Sequence, residues 1–175
     1  MKNILALLLL LAGNSVYAQD TPNPIRKNTI FFEIGGNSFL YSLNYDRLLV
    51  KKPNWGLAGR IGGSYLRDTG VFENTDNHFY AVPLELSLLV GKSNHKLEIG
   101  AGATPFYKDY QEESGKDNWS SVAPTARIGY RYQKSGGGLF FKAGFTPLIA
   151  FKKDYNSINP KHVYPWAGLA FGYTI

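Results

Sequence analysis

The sequence predicts an all-β protein, an eight-stranded antiparallel up-and-down β-barrel that crosses a membrane. Three observations lead there. Apolar residues recur at every second position over much of the chain, giving each strand one apolar and one polar face because successive side chains point to opposite sides. The connections between these stretches alternate between short and long. The segment Leu169-Ala170-Phe171-Gly172-Tyr173-Thr174-Ile175 carries large hydrophobics on one parity and small residues on the other. Such a face is a liability in water and is natural against lipid.

The chain opens with the pattern of an export signal: Lys2 as a basic n-region, an apolar run from Ile4 to Ala12, and Val16-Tyr17-Ala18 as a small-residue cleavage site. That run is much shorter than the roughly 20 residues a helix needs to span a bilayer, which disfavours a membrane anchor. The expected organisation is a signal peptide at 1–18, cleaved after Ala18, a periplasmic leader at 19–28 with Pro22 and Pro24, and one barrel domain at 29–175. The destination this implies is the cell outer membrane. With no cysteine in the chain, disulfides and thiolate-bound metals are excluded.

Eight strands follow in order. The first, 29–36, carries Glu33 and Gly35 on its polar parity. The second, 38–48, sets Phe39, Tyr41, Leu43 and Tyr45 against Asn44 and Asp46. The third, 55–66, opposes Trp55 and Tyr65 to Arg60 and Ser64. The fourth, 79–90, has the clearest alternation, Tyr80, Val82, Leu84, Leu86, Leu88 and Val90 against Glu85 and Ser87. The fifth, 96–107, and sixth, 121–133, put Tyr107, Tyr130 and Tyr132 opposite Glu98, Thr104, Thr125, Arg127 and Arg131. The seventh, 138–148, sets Leu139, Phe141, Ala143 and Phe145 against Lys142 and Thr146, and the eighth is 163–175.

The connections Leu49–Asn54, Gly91–His95 and Lys134–Gly137 are short, whereas 67–78, 108–120 and 149–162 are longer. Short periplasmic turns alternating with long outer loops are the asymmetry of outer-membrane barrels; only the first outer connection, around Gly36-Asn37, is short. Pro83, Pro105, Pro124, Pro147 and Pro165 fall toward the loop-side ends of their strands, where a residue without an N–H does least damage to a ladder. Tyr45, Trp55, Tyr130, Tyr132 and Tyr173 lie outward toward the turns, and Tyr65, Tyr80 and Tyr107 outward toward the loops. Aromatic girdles of this kind mark the two membrane interfaces.

The opposite parity fills the interior. Its ionisable set is four acids, Glu33, Asp46, Glu85 and Glu98, and four bases, Arg60, Arg127, Arg131 and Lys142. Buried charges are tolerated when paired, so this balance predicts a closed ion-pair network. It argues against a pore of one sign, since an eight-stranded barrel is just wide enough for side chains to fill it.

On these residues the chain resembles the small eight-stranded outer-membrane β-barrels, the group of the OmpA transmembrane domain and OmpX. The resemblance covers 29–175 and rests on the alternating strands, the Glu/Arg/Lys interior and the terminal Leu169-x-Phe171-x-Tyr173-x-Ile175, ending in Ile where the family usually has Phe. It implies that Leu169, Phe171, Tyr173 and Ile175 form the signal read by the barrel-assembly machinery. It also implies outer-membrane lipids and lipopolysaccharide as surroundings, and a monomer.

Some barrels of this size modify lipid A or phospholipids. The histidines, His78, His95 and His162, lack the His-x-Ser arrangement of a barrel deacylase. A rim site built from His78 or His162 with Ser120, Ser121 and Glu112 or Glu113 would need loops that sequence cannot assemble. The expectation is therefore a non-enzymatic barrel with no catalytic residues, no cofactor and no metal, acting structurally or through its loops on an unknown partner. The pI near 9.4 comes from dispersed cations without a basic aromatic stripe, which excludes a nucleic-acid reader. Lys51, Lys52, Lys92, Lys96 and Lys134 lie in or beside the turns, within reach of anionic headgroups. Periodicity alone leaves one mirror-image alternative, a secreted lipocalin-like barrel with its apolar face inward.

Overall fold

The computed structural model describes residues 25–69, 76–112, 115–151 and 160–175. The expected signal peptide and most of the leader lie outside these residues. Eight strands form one closed antiparallel barrel: β1 (Asn28–Gly35), β2 (Tyr41–Lys51), β3 (Trp55–Thr69), β4 (Asp76–Ala81 and Leu84–Val90), β5 (His95–Glu112), β6 (Gly115–Gln133), β7 (Gly138–Phe145 and Leu148–Phe151) and β8 (Pro160–Tyr164 and Ala167–Thr174). Each strand pairs with its sequence neighbour, and β1 pairs with β8 from Thr29↔Thr174 to Gly35↔Gly168. That last ladder closes the cylinder and removes the exposed edges an open sheet would leave.

The alternation decides which face is which. Leu43, Leu86, Leu139 (73% exposed) and Phe171 (56%) point outward, as does every second residue beside them, while Glu33, Asp46, Glu98 and Arg131 are buried. The lipocalin-like alternative requires the reverse. The buried apolar residues are few and form two small groups, Phe31 with Phe140 and Ala170, and Leu48 with Ala58 and Leu89.

Three strands break at prolines. Pro83 interrupts β4, Pro147 lies in the gap of β7, and Pro165 lies in the gap of β8. Proline cannot donate to the ladder but its carbonyl still accepts, as Pro83 O does from Gly62 N at 2.9 Å. Pro105 and Pro124 sit inside continuous strands, opposite Val122 and Ala103. The five prolines therefore do not end the strands, which run on past them toward the loops.

In the connections 67–78 and 108–120, expected as loops, the described residues continue the ladder. β3 and β4 stay paired to Thr69↔Asp76, and β5 and β6 to Glu112↔Gly115. The physical reason is that hydrophobic alternation records only the stretch facing apolar surroundings. Main-chain pairing needs no such pattern and continues in polar sequence once two strands are side by side.

The first outer connection departs furthest from expectation. Residues Gly36–Ser38 form a single 3-10 turn whose residues are all buried, so this connection folds into the mouth of the barrel. Gly35 and Gly36 make the reversal possible with φ of 72° and 68°, a region open to glycine without steric cost. Phe39 follows at φ 71° and precedes β2. Expected on the outward face of a strand, it instead packs edge-on against Phe79 and Phe106 at centroid distances of 5.9 and 6.0 Å.

Candidate functional site

The interior is a chain of charges contributed by seven of the eight strands: Glu33 (β1), Asp46 (β2), Arg60 (β3), Glu85 (β4), Glu98 (β5), Arg127 and Arg131 (β6), and Lys142 (β7). All eight side chains are buried. At the loop-side end, Glu33 pairs with Arg60 and with Arg127, the latter at 2.5 Å. Glu85 receives Arg127 at 3.1 Å, Lys142 at 3.6 Å and Arg60 at 3.9 Å. Glu98 takes Lys142 at 3.2 Å and Arg131 at 3.7 Å. Asp46 ends the chain, holding Arg131 through both carboxylate oxygens at 2.6 and 3.0 Å.

Backbone register explains little of this pairing. It sets Arg131 beside Lys142 and Asp46 beside Arg60, yet Asp46 binds Arg131 and Glu98 serves both Arg131 and Lys142. Contacts reach across the lumen as well as along the wall, so tertiary closure chooses the partners. Four acids and four bases cancel, and neutral groups join the chain. Asn44 Oδ1 accepts from Arg60 Nε at 2.9 Å, Gln133 Oε1 accepts from Arg131, and the inward turn supplies Asn37, whose amide donates to Glu85. Thr104 Oγ1 donates to the Asn37 carbonyl at 2.9 Å.

Two phenylalanines also belong to the site. The Phe31 ring lies 5.2 Å from the Arg60 guanidinium carbon and 4.9 Å from Lys142 Nζ, and Phe140 lies 4.9 Å from that of Arg131. Ring faces attract desolvated cations, so these side chains fill the lumen without adding charge. Sequence reading overlooked Phe31, Phe140, Gln133 and Ser42, whose hydroxyl oxygen accepts from Asn44 at 2.9 Å and Arg60 at 3.4 Å, although each shares inward parity with Glu33, Lys142, Asn44 or Arg131. Asn37 carried no such signal.

On the outer wall, Tyr65, Tyr80 and Tyr107 stand on three neighbouring strands with ring centroids 5.0 and 6.2 Å apart. Tyr45, Trp55 and Tyr130 are exposed nearer the turns, with Tyr132 half-buried against His95. The stripe Leu169, Phe171, Tyr173 and Ile175 is exposed along β8 and just beyond it. The described histidines are held on this wall by tyrosines. His78 Nδ1 lies 2.9 Å from Tyr65 Oη, and His95 Nδ1 lies 2.6 Å from Tyr130 Oη. His78 stands on β4 opposite Asp109, and Asp109 stands opposite Asn118 on β6. Ser120 and Ser121 share β6, so about two strand spacings, roughly 10 Å, separate them from His78. That is beyond hydrogen-bond reach. The side chains of His162, Glu112 and Glu113 lie outside the described residues.

No protein-family model and no curated protein matches the sequence. Solved structures do match. The N-terminal β-barrel domain of Pseudomonas aeruginosa OprF superposes with a TM-score of 0.56 at 15% identity, covering 85% of this chain and 96% of that one. Ail, the attachment invasion locus protein of Yersinia pestis, solved in complex with the heparin analogue sucrose octasulfate, gives 0.56 at 11% identity over 85% and 96%. The fold is that of the small outer-membrane β-barrels. At such identities likeness extends to the fold alone, and the side chains described above belong to this chain's own barrel.

Proposed function

We propose that this chain is a non-enzymatic outer-membrane barrel whose lumen is plugged by its own ion-pair network and whose outer extensions make its contacts. The observation that carries the reading is the inversion of faces: charges buried and neutralised inside, large apolar side chains exposed outside. An exterior of this kind is stable only against lipid. In a membrane, the tyrosine group of Tyr65, Tyr80 and Tyr107 lies at the outer interface, and Tyr45, Trp55, Tyr130 and Tyr132 lie at the inner one. Leu169, Phe171, Tyr173 and Ile175 serve as the stripe that the assembly machinery reads during insertion. The paired extensions through Thr69 and Asp76, and through Glu112 and Gly115, then stand clear of the bilayer and present the surface available to lipopolysaccharide or a partner.

The deciding experiment is a heat-modifiability gel of residues 19–175 refolded in detergent micelles. A folded membrane barrel resists dodecyl sulfate until boiled and migrates differently before and after. A shift that requires detergent or lipid for refolding supports the reading. A chain that folds in plain buffer and shows no shift refutes it.

A further inference from the structure

The turn-side mouth of the barrel holds a cavity of about 470 Å³ that meets the ion-pair network only at Gln133. It is assembled from the segment before β1 and from all three short turns. Six cations line it, Arg26, Lys51, Lys52, Lys92, Lys96 and Lys134, and its lining contains no aspartate or glutamate. Among the described residues none of the six forms an ion pair. The cations nearest the lumen are held in place by neutral acceptors. Lys51 Nζ donates to Ser135 Oγ at 2.8 Å, and Lys96 Nζ donates to the Ser93 carbonyl at 2.9 Å and reaches the Gln133 carbonyl at 3.4 Å. The contrast with the lumen above is sharp. Eight interior charges cancel there; a few residues away, six like charges converge on a cavity whose lining has no acidic side chain.

Like charges crowded into a concave site raise its potential and attract a counter-ion. Lysine ammonium groups are compact, rotatable donors suited to phosphate oxygens. Trp55 on the same wall adds an amphipathic surface of the type found beside lipid headgroups. We propose that this mouth binds a phosphate group, as the ester of an anionic lipid headgroup or as a soluble phosphate. Placing the mouth on the periplasmic side rests on the membrane orientation proposed above; the binding itself does not.

The test uses the refolded chain in a non-ionic, phosphate-free detergent, titrated calorimetrically with pyrophosphate and, separately, with dihexanoyl phosphatidylglycerol below its micelle concentration. One-site binding is expected. The triple variant Lys51→Gln/Lys96→Gln/Lys134→Gln should weaken it at least tenfold, and Lys108→Gln on the loop side should leave it unchanged. Tighter binding of the lipid ester assigns the site to a headgroup, and tighter pyrophosphate binding assigns it to a soluble phosphate. The boiled-versus-unboiled shift reports folding of every variant independently. If the triple variant does not fold, Lys96→Gln alone should weaken binding at least threefold. Absence of binding by both probes, equal affinity in the folded variants, or an equal loss in Lys108→Gln overturns the proposal while leaving the barrel reading intact.

Discussion

Removing Arg131 should destabilise the barrel more than removing its partner Asp46, and removing both should cost much less than the two losses together. Arg131 is fully buried and joins two carboxylates, Asp46 at 2.6 Å and Glu98 at 3.7 Å. In Arg131→Met, Glu98 keeps Lys142 at 3.2 Å, but Asp46 loses its ion-pair partner and stays buried. Breaking a buried pair from one side typically costs about 3–5 kcal/mol, because a charge remains without water or counter-charge. In Asp46→Leu, Arg131 retains Glu98 and the Gln133 side chain, so the cost should fall toward the lower end of that range. The double variant removes one charge of each sign, and apolar replacement of a whole buried pair is often close to neutral. Single losses of about 3–5 and about 3 kcal/mol set against a nearly neutral double variant give a coupling energy of roughly 6–8 kcal/mol, far above the ~0.5 kcal/mol within which independent sites add. Equilibrium urea unfolding in lipid vesicles, followed by tryptophan fluorescence and by the gel shift, measures all four corners of the cycle. Additivity within about 0.5 kcal/mol would refute the claim that this pair is desolvated and specific.

Leu86→Arg places a charge on the outward face, where Leu86 is exposed; unfolding in vesicles should show a loss of about 2–4 kcal/mol if that face meets the bilayer centre, against about 0.5 kcal/mol or less on a water-facing surface. Gly36→Val combines φ of 68° with a Cβ only 2.5 Å from the Glu33 carboxyl carbon, so it should lower the unfolding midpoint by the equivalent of about 1–3 kcal/mol. Gly136→Ala, with open space around its Cβ, should stay within about 0.5 kcal/mol. In planar bilayers the wild-type chain should show no steady unitary conductance steps if the proposed ion-pair plug closes the lumen; regular steps would refute the plug.

Much of this protein is legible in its sequence because a β-barrel repeats one local rule. Parity places Glu33, Asp46, Arg60, Glu85, Glu98, Arg127, Arg131 and Lys142 together on one face, and any strand obeys it without knowledge of its neighbours. Strand number and the short turns at Leu49–Asn54, Gly91–His95 and Lys134–Gly137 follow from the same pattern. Parity also contained Phe31 and Phe140, which share the inward face with Glu33 and Lys142.

What periodicity could not contain is distance. Parity assigns a residue to a face but gives no information about which opposite residue it meets, so Asp46 with Arg131, 85 positions apart, emerges only when β1 closes on β8. Nor does it say which face is the inside. That choice depends on the sense in which the sheet curls, and the curl is settled by the packing of all eight strands together. The inward 3-10 turn at Gly36–Ser38 and the convergence of Lys51, Lys96 and Lys134 from separate turns have the same origin. Each joins residues remote in the chain, and only the closed tertiary structure brings them within reach.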